Sequence, residues 1–115
     1  MAKIYDQVKL YKADTATGKI AVWIGWIEII SRDTEKIVKI KSHHLKDESL
    51  DDTHYAIIQM RNGYEDMKMR ESSRKIQKGK NIGRKNATNI YTQAVNELLS
   101  RTEKKIKKER YLRKK

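Results

Sequence analysis

Apolar residues recur at the two-residue interval of strands over the first part of the chain, and at the three-to-four-residue interval of a helix near its end. "QVKLYKAD", from Gln7, predicts a first strand, and "TATGK" after it predicts a hairpin return, with Gly18 supplying a positive φ. "KIAVWIGWIEII" is apolar at both parities, as a central strand covered on two faces would be, with Trp23 and Trp26 on opposite sides. "KIVKIKS", from Lys36, alternates and predicts another half-solvated strand with Val38 and Ile40 turned to the core. "HHLKDESLDD" has no sustained period and reads as an acidic loop or a short helical excursion. "THYAIIQMRN" resumes strand character and meets a turn signal at Asn62 and Gly63, after which "YEDMKMRESSRKIQ" returns along the sheet.

The last periodic segment starts near Asn89 or Ile90. It sets Tyr91, Ala94, Val95, Leu98, Leu99, Thr102 and Ile106 on one helical stripe. Thr88 or Asn89 can cap its start, and Lys104, Lys105, Lys107, Lys108 and Arg110 gather at its end, where the helix dipole favours cations. A lone helix is marginal in water, so the stripe is expected to lie across the sheet. The predicted fold is α+β: a small antiparallel sheet of four or five strands packed against a long C-terminal helix. Residues 1–110 form one domain, and 111–115 a basic flexible tail.

Composition fits this picture. A chain of 115 residues suffices for one modest core. Cysteine is absent, which excludes disulfides and thiolate metal sites. The longest apolar run, Ile20 to Ile27, is far shorter than the roughly 20 residues that span a bilayer, and the opening residues follow no leader pattern. We therefore expect a cytoplasmic protein with no membrane association.

Charge changes the picture more. Residues 1–67 carry 10 Lys/Arg against 11 Asp/Glu, for −1, and residues 68–115 carry 17 against 4, for +13, so the second part holds the whole of the net +12. A positive field so segregated attracts a polyanion, with nucleic acid the first candidate. Within it lies "GKNIGRKN", Gly79 to Asn86, where glycine and asparagine alternate with Lys80, Arg84 and Lys85 just before the helix. Glycines let backbone N–H groups approach a phosphate, and the free N–H groups of the following helix start would reinforce such a site. The Walker spacing and the dinucleotide-binding spacing are both missing, which argues against nucleotide hydrolysis. The competing reading is a structural connection with ordinary surface charge.

Other chemistry is weaker. His43, His44, His54, Asp47, Glu48, Asp51 and Asp52 are metal-capable, but adjacent histidines point apart in a strand and the acids suit an exposed loop. Ser72 and Ser73 have no evident histidine base. No catalytic, metal or cofactor site is assigned. Trp26 and Tyr64 are candidate stacking residues if exposed to a splayed base.

From "KLYKADTATGKIAVW" through "GKNIGRKNATNIYTQAVNEL" to the late "KK…RY", the chain resembles the tryptophan-glycine-arginine (WGR) domains, particularly the WGR-like modules of phage and bacterial proteins linked to DNA ligation. The resemblance implies a small antiparallel sheet packed on a helix that contacts DNA and neighbouring protein domains. The naming motif falls on "QMRNG": Gln59 stands where tryptophan would be and Met60 where glycine would be, while Arg61 and Gly63 are retained. The leading functional expectation is a non-enzymatic DNA-binding accessory protein that grips phosphates through Arg61, Lys80, Arg84, Lys85, Lys104 and Lys108. The alternative is a protein-binding regulator, such as a phage-encoded inhibitor of a host enzyme, directed at an acidic partner surface. Homodimerisation through the two-sided strand around Trp23 and Trp26 is a further option.

Overall fold

Four strands form one antiparallel sheet in sequence order: β1 (Tyr5–Ala13), β2 (Ile20–Ser31), β3 (His54–Tyr64) and β4 (Arg70–Ile76). A short helix α1 (Leu50–Thr53) precedes β3, and the long helix α2 (Ile90–Lys107) follows β4. The structure is a computed structural model that describes residues 5–13, 18–45, 47, 49–65, 67–79 and 88–113.

Each strand's alternation sorts its side chains between two faces, and the register assembles them into rows. Toward α2 run the rows Leu10–Trp23–Asn62–Arg70, Val8–Gly25–Met60–Ser72, Ile27–Ile58–Arg74 and Ile29–Ala56–Ile76. Away from it run Lys9–Ile24–Arg61–Glu71, Trp26–Gln59–Ser73 and Glu28–Ile57–Lys75. The helix-facing rows are apolar in β2 and turn polar at β4 everywhere except Ile76. The core is thus deepest under β2 and β3, where Trp23, Ile27, Ile29, Ala56 and Ile58 meet Ile90, Ala94 and Leu98 of α2. At Gly25 the helix comes so near that an added Cβ would stand 2.7 Å from Leu98 Cδ1.

Several expectations need correction. The stretch from Lys36 is not a strand: it makes one bridge, Ile37 to Ile30, while Val38 and Ile40 pack partly buried against the core. Among the described residues the sheet therefore has four strands, the smaller of the two expected numbers. Asn62 and Gly63 do not turn the chain, because β3 continues through them opposite Trp23 and Val22, and the reversal comes after Tyr64. In α2, Leu99 faces solvent while Ile90 and Gln93 are buried. Gly18 does adopt the expected positive φ, +71°.

The chain beyond α2 is tied down at the start of the segment expected to fray. Arg110 adopts φ +61°, Tyr111 is 8% exposed within the core, and Leu112 exchanges two backbone hydrogen bonds with Tyr11 on the free edge of β1. Among the described residues no helix is long and apolar enough to cross a membrane.

Candidate nucleic-acid interface

The start of α2 is built by two residues from different parts of the chain. Asn89 is the N-cap: its Oδ1 accepts from the Thr92 N–H at 2.9 Å, and the Thr92 hydroxyl accepts from the Asn89 N–H at 2.9 Å. The Asn89 amide also donates to the carbonyls of Leu45 and Asp47, at 2.7 and 2.8 Å, which anchors the helix to the segment before α1. Asp51 supplies the second element. Its carboxylate accepts from the Ile90 N–H and from the Gly79 N–H, each at 2.6 Å.

This arrangement alters the reading of "GKNIGRKN". The helix start expected to offer free N–H groups to a phosphate is already occupied by the protein's own anion, Asp51. A phosphate there would have to displace one carboxylate and face its charge. Gly79 is glycine for a steric reason, since a Cβ on it would overlap the Thr88 carbonyl. Lys80, Arg84 and Lys85 lie outside the described residues.

The remaining candidates divide between the two faces of the sheet. Arg61 projects away from α2: its guanidinium lies 5.2 Å from the centre of the Trp26 ring, and its Nε pairs with Glu71 at 3.0 Å. Trp26 is half-buried on that face, its indole N–H donating to Glu28 at 3.0 Å, and Gln59 donates to the same carboxylate at 3.2 Å. Arg61 and Trp26 therefore occupy one another. Tyr64 is partly buried, with the Lys19 ammonium 5.8 Å from its ring centre.

Lys104 and Lys108 sit on the other side of the sheet, and here the structure gathers residues that the sequence reading left out. Glu97, Arg101, Lys104 and Lys108 recur at helical spacing along the flank of α2 nearest β4. Across from them, β4 presents Arg70, Ser72 and Arg74. Arg74 Nε bonds Glu97 at 3.2 Å and fixes the helix flank to the strand. Beyond that bridge, toward the end of the helix, opens a cavity of about 310 Å³ lined by Trp23, Met60, Asn62, Ser72, Arg101 and Lys104, with Arg61 also at its border. Lys105 and Glu109 border it as a pair, 3.0 Å apart, with the Lys105 ammonium 5.7 Å from the Tyr111 ring centre. Among the described residues, Arg70, Arg101, Lys104 and Lys108 have no carboxylate within ion-pair distance. The signal for this cleft was available in the alternation of "RESSRKI", whose even-numbered positions carry Arg70, Ser72 and Arg74 to one side.

The residues weighed for metal or acid-base chemistry collect elsewhere. His44, Asp47, Asp52 and His54 line a second cavity of about 480 Å³. His43 and His44 belong to a 3-10 turn, not a strand, and their rings lie tilted by 46° with centroids 4.0 Å apart. His44 bonds Asp47 at 2.9 Å, and His54 bonds the Thr53 hydroxyl at 2.6 Å. Burial, and then the nearby Arg32 charge, lower the His54 pKa from its ordinary 6.5. The Tyr55 phenol is held above its ordinary value, first by its hydrogen bond to Glu35 at 2.6 Å. Among the described residues no group of three or more His, Asp or Glu side chains is arranged to hold a metal ion.

No protein-family pattern matches the chain, and no curated protein matches it.

Proposed function

We propose that this protein binds DNA through the sugar-phosphate backbone, as an accessory protein that performs no chemistry on it. The observation that carries the reading is the cleft between β4 and α2, where Arg101 and Lys104 line a cavity beside Ser72 and, like Arg70 two residues along β4 and Lys108 one turn on from Lys104, have no carboxylate within ion-pair distance among the described residues. Side chains of this type pair with phosphates whatever the base sequence, and bound counterions are released as they do. Lys80, Arg84 and Lys85 join the proposal by charge and by their position between Gly79 and Thr88.

A WGR-like identity is part of the same proposal. A four-stranded antiparallel sheet followed by a long helix, with the glycine-rich segment leading into that helix, supports it. The resemblance puts a backbone contact on Arg61, but Glu71 and Trp26 engage that guanidinium, so this reading gives the grip to β4 and α2.

The test is a titration of labelled duplex DNA, single-stranded DNA and RNA across a series of salt concentrations. Engaging the four unpaired cations predicts a slope of log affinity against log salt of about −3 to −4. Lys104→Glu with Lys108→Glu should flatten that slope by about 2 while weakening all sequences alike. Preference for RNA over DNA would reassign the polyanion. Failure to bind any nucleic acid, with stoichiometric binding to an acidic protein instead, would establish the regulator reading in its place.

A further inference from the structure

We infer that the cavity between β3–β4 and α2 seats one unpaired nucleotide, so that the protein grips a single DNA strand in preference to a duplex. The inference rests on the backbone-binding reading above and adds the form of the strand.

The cavity lining is of two kinds. Its floor is apolar: Trp23 is 3% exposed and Met60 8%. Arg101 and Lys104 stand on the helix side, and Asn62 and Ser72 bring an amide and a hydroxyl from the strand side. A bare phosphate would satisfy the cations and leave the floor unfilled. About 310 Å³ with an apolar floor suits a larger ligand, one that joins an anion to a flat body with polar edges. A nucleotide has that form: phosphate toward Arg101 and Lys104, base over Met60, base or sugar polar atoms within reach of Asn62 and Ser72. A duplex presents phosphates on its outside and keeps its bases stacked within, so it would touch the rim cations and leave the recess empty. Glu109 also borders the cavity, but its charge is met by Lys105.

Cations continuing past the cavity favour a strand over a free nucleotide. Lys108 follows Lys104 by four residues, about 6 Å along the helix. Arg70 lies two residues from Ser72, about 7 Å along β4. Neither is needed to hold a single phosphate. Both lie where the backbone of a strand entering or leaving the cavity would pass.

The experiment compares a labelled oligothymidine of about 12 nucleotides, a duplex of the same length and thymidine monophosphate, at one salt concentration. The oligothymidine should bind about tenfold more tightly than either of the others. Ser72→Leu places extra bulk in the cavity from an exposed position on an edge strand. It should remove the single-strand advantage, bringing the oligothymidine to the affinity the same variant shows for the duplex, whereas Lys108→Glu should weaken both and keep their ratio. Chemical shifts of the Met60 methyl and the Trp23 indole give a readout on the unaltered protein, moving with the single strand and not with the duplex. Equal affinity for single strand and duplex, or shifts confined to Trp26 and Gln59, would overturn the inference and leave backbone binding standing. A monophosphate as tight as the oligomer would overturn the strand. Binding to none of the three would overturn both readings.

Discussion

Asn89 serves two structures at once, closing the first turn of α2 and holding the carbonyls of Leu45 and Asp47. An ordinary cap contributes about 1 kcal/mol, and leaving the buried Leu45 carbonyl and the part-buried Asp47 carbonyl without a donor adds to that cost. Asn89→Ala should therefore destabilise the protein by about 2 to 3 kcal/mol in urea unfolding. Substituting Asn89 by Asp, which keeps the cap acceptor but loses the amide donor, should still lose part of that stability. His54 gives a pH prediction. Its folded-state pKa is lowered, so the unfolded chain binds the proton more readily. Stability is then full above 6.5 and falls as the pH drops through that value toward the folded pKa. Unfolding midpoints followed across this range should slope for the natural protein and flatten for His54→Gln.

At the scale of elements, the strands β1 to β3 and the helix α2 were legible because their apolar periods are strong. Asn89 could be named as a cap from its place before the stripe. β4 was harder to use. Its sequence is almost wholly polar, and only the register with β3 shows that Arg70, Ser72 and Arg74 face the helix. The segment from Lys36 has a strand's alternation, yet it holds only one bridge to β2, and side-chain period carries no information about whether a partner edge is available. Asp51 was invisible as a helix partner because it is 39 residues from Ile90. The close of the chain misled through composition: "YLRKK" is mostly basic, but Tyr111 is core and Lys12 and Lys105 approach its ring. Tyr111→Ala should cost about 3 kcal/mol, read as a lower unfolding midpoint. A purely frayed end would give no change.

For the molecule as a whole, the segregation of charge along the sequence becomes a sidedness in space. The three rows that project away from α2 balance Arg61 with Glu71 and set Glu28 beside Trp26 and Gln59. On the cleft side Arg74 and Lys105 are paired with Glu97 and Glu109, while Arg70, Arg101, Lys104 and Lys108 have no carboxylate within ion-pair distance among the described residues. Mutations on the two sides should therefore separate: Arg61→Ala should alter nucleic-acid affinity less than about threefold, while Arg101→Glu should weaken it by about tenfold or more at moderate salt. Parallel anisotropy titrations of the two variants would decide the matter, and a larger loss at Arg61 would move the interface to the outer face.

The joint at Asp51 has a consequence for how this protein can vary. Gly79 and Thr88 abut, and one carboxylate holds the chain on both sides of the intervening eight residues. Because Gly79 and Ile90 are held to the same carboxylate, a change in the number of residues between Gly79 and Thr88 should leave the start of α2 in place. Doubling that number would change closure entropy by only about 0.6 kcal/mol. Asp51 thus makes the start of α2 independent of the residues that lead into it from Gly79.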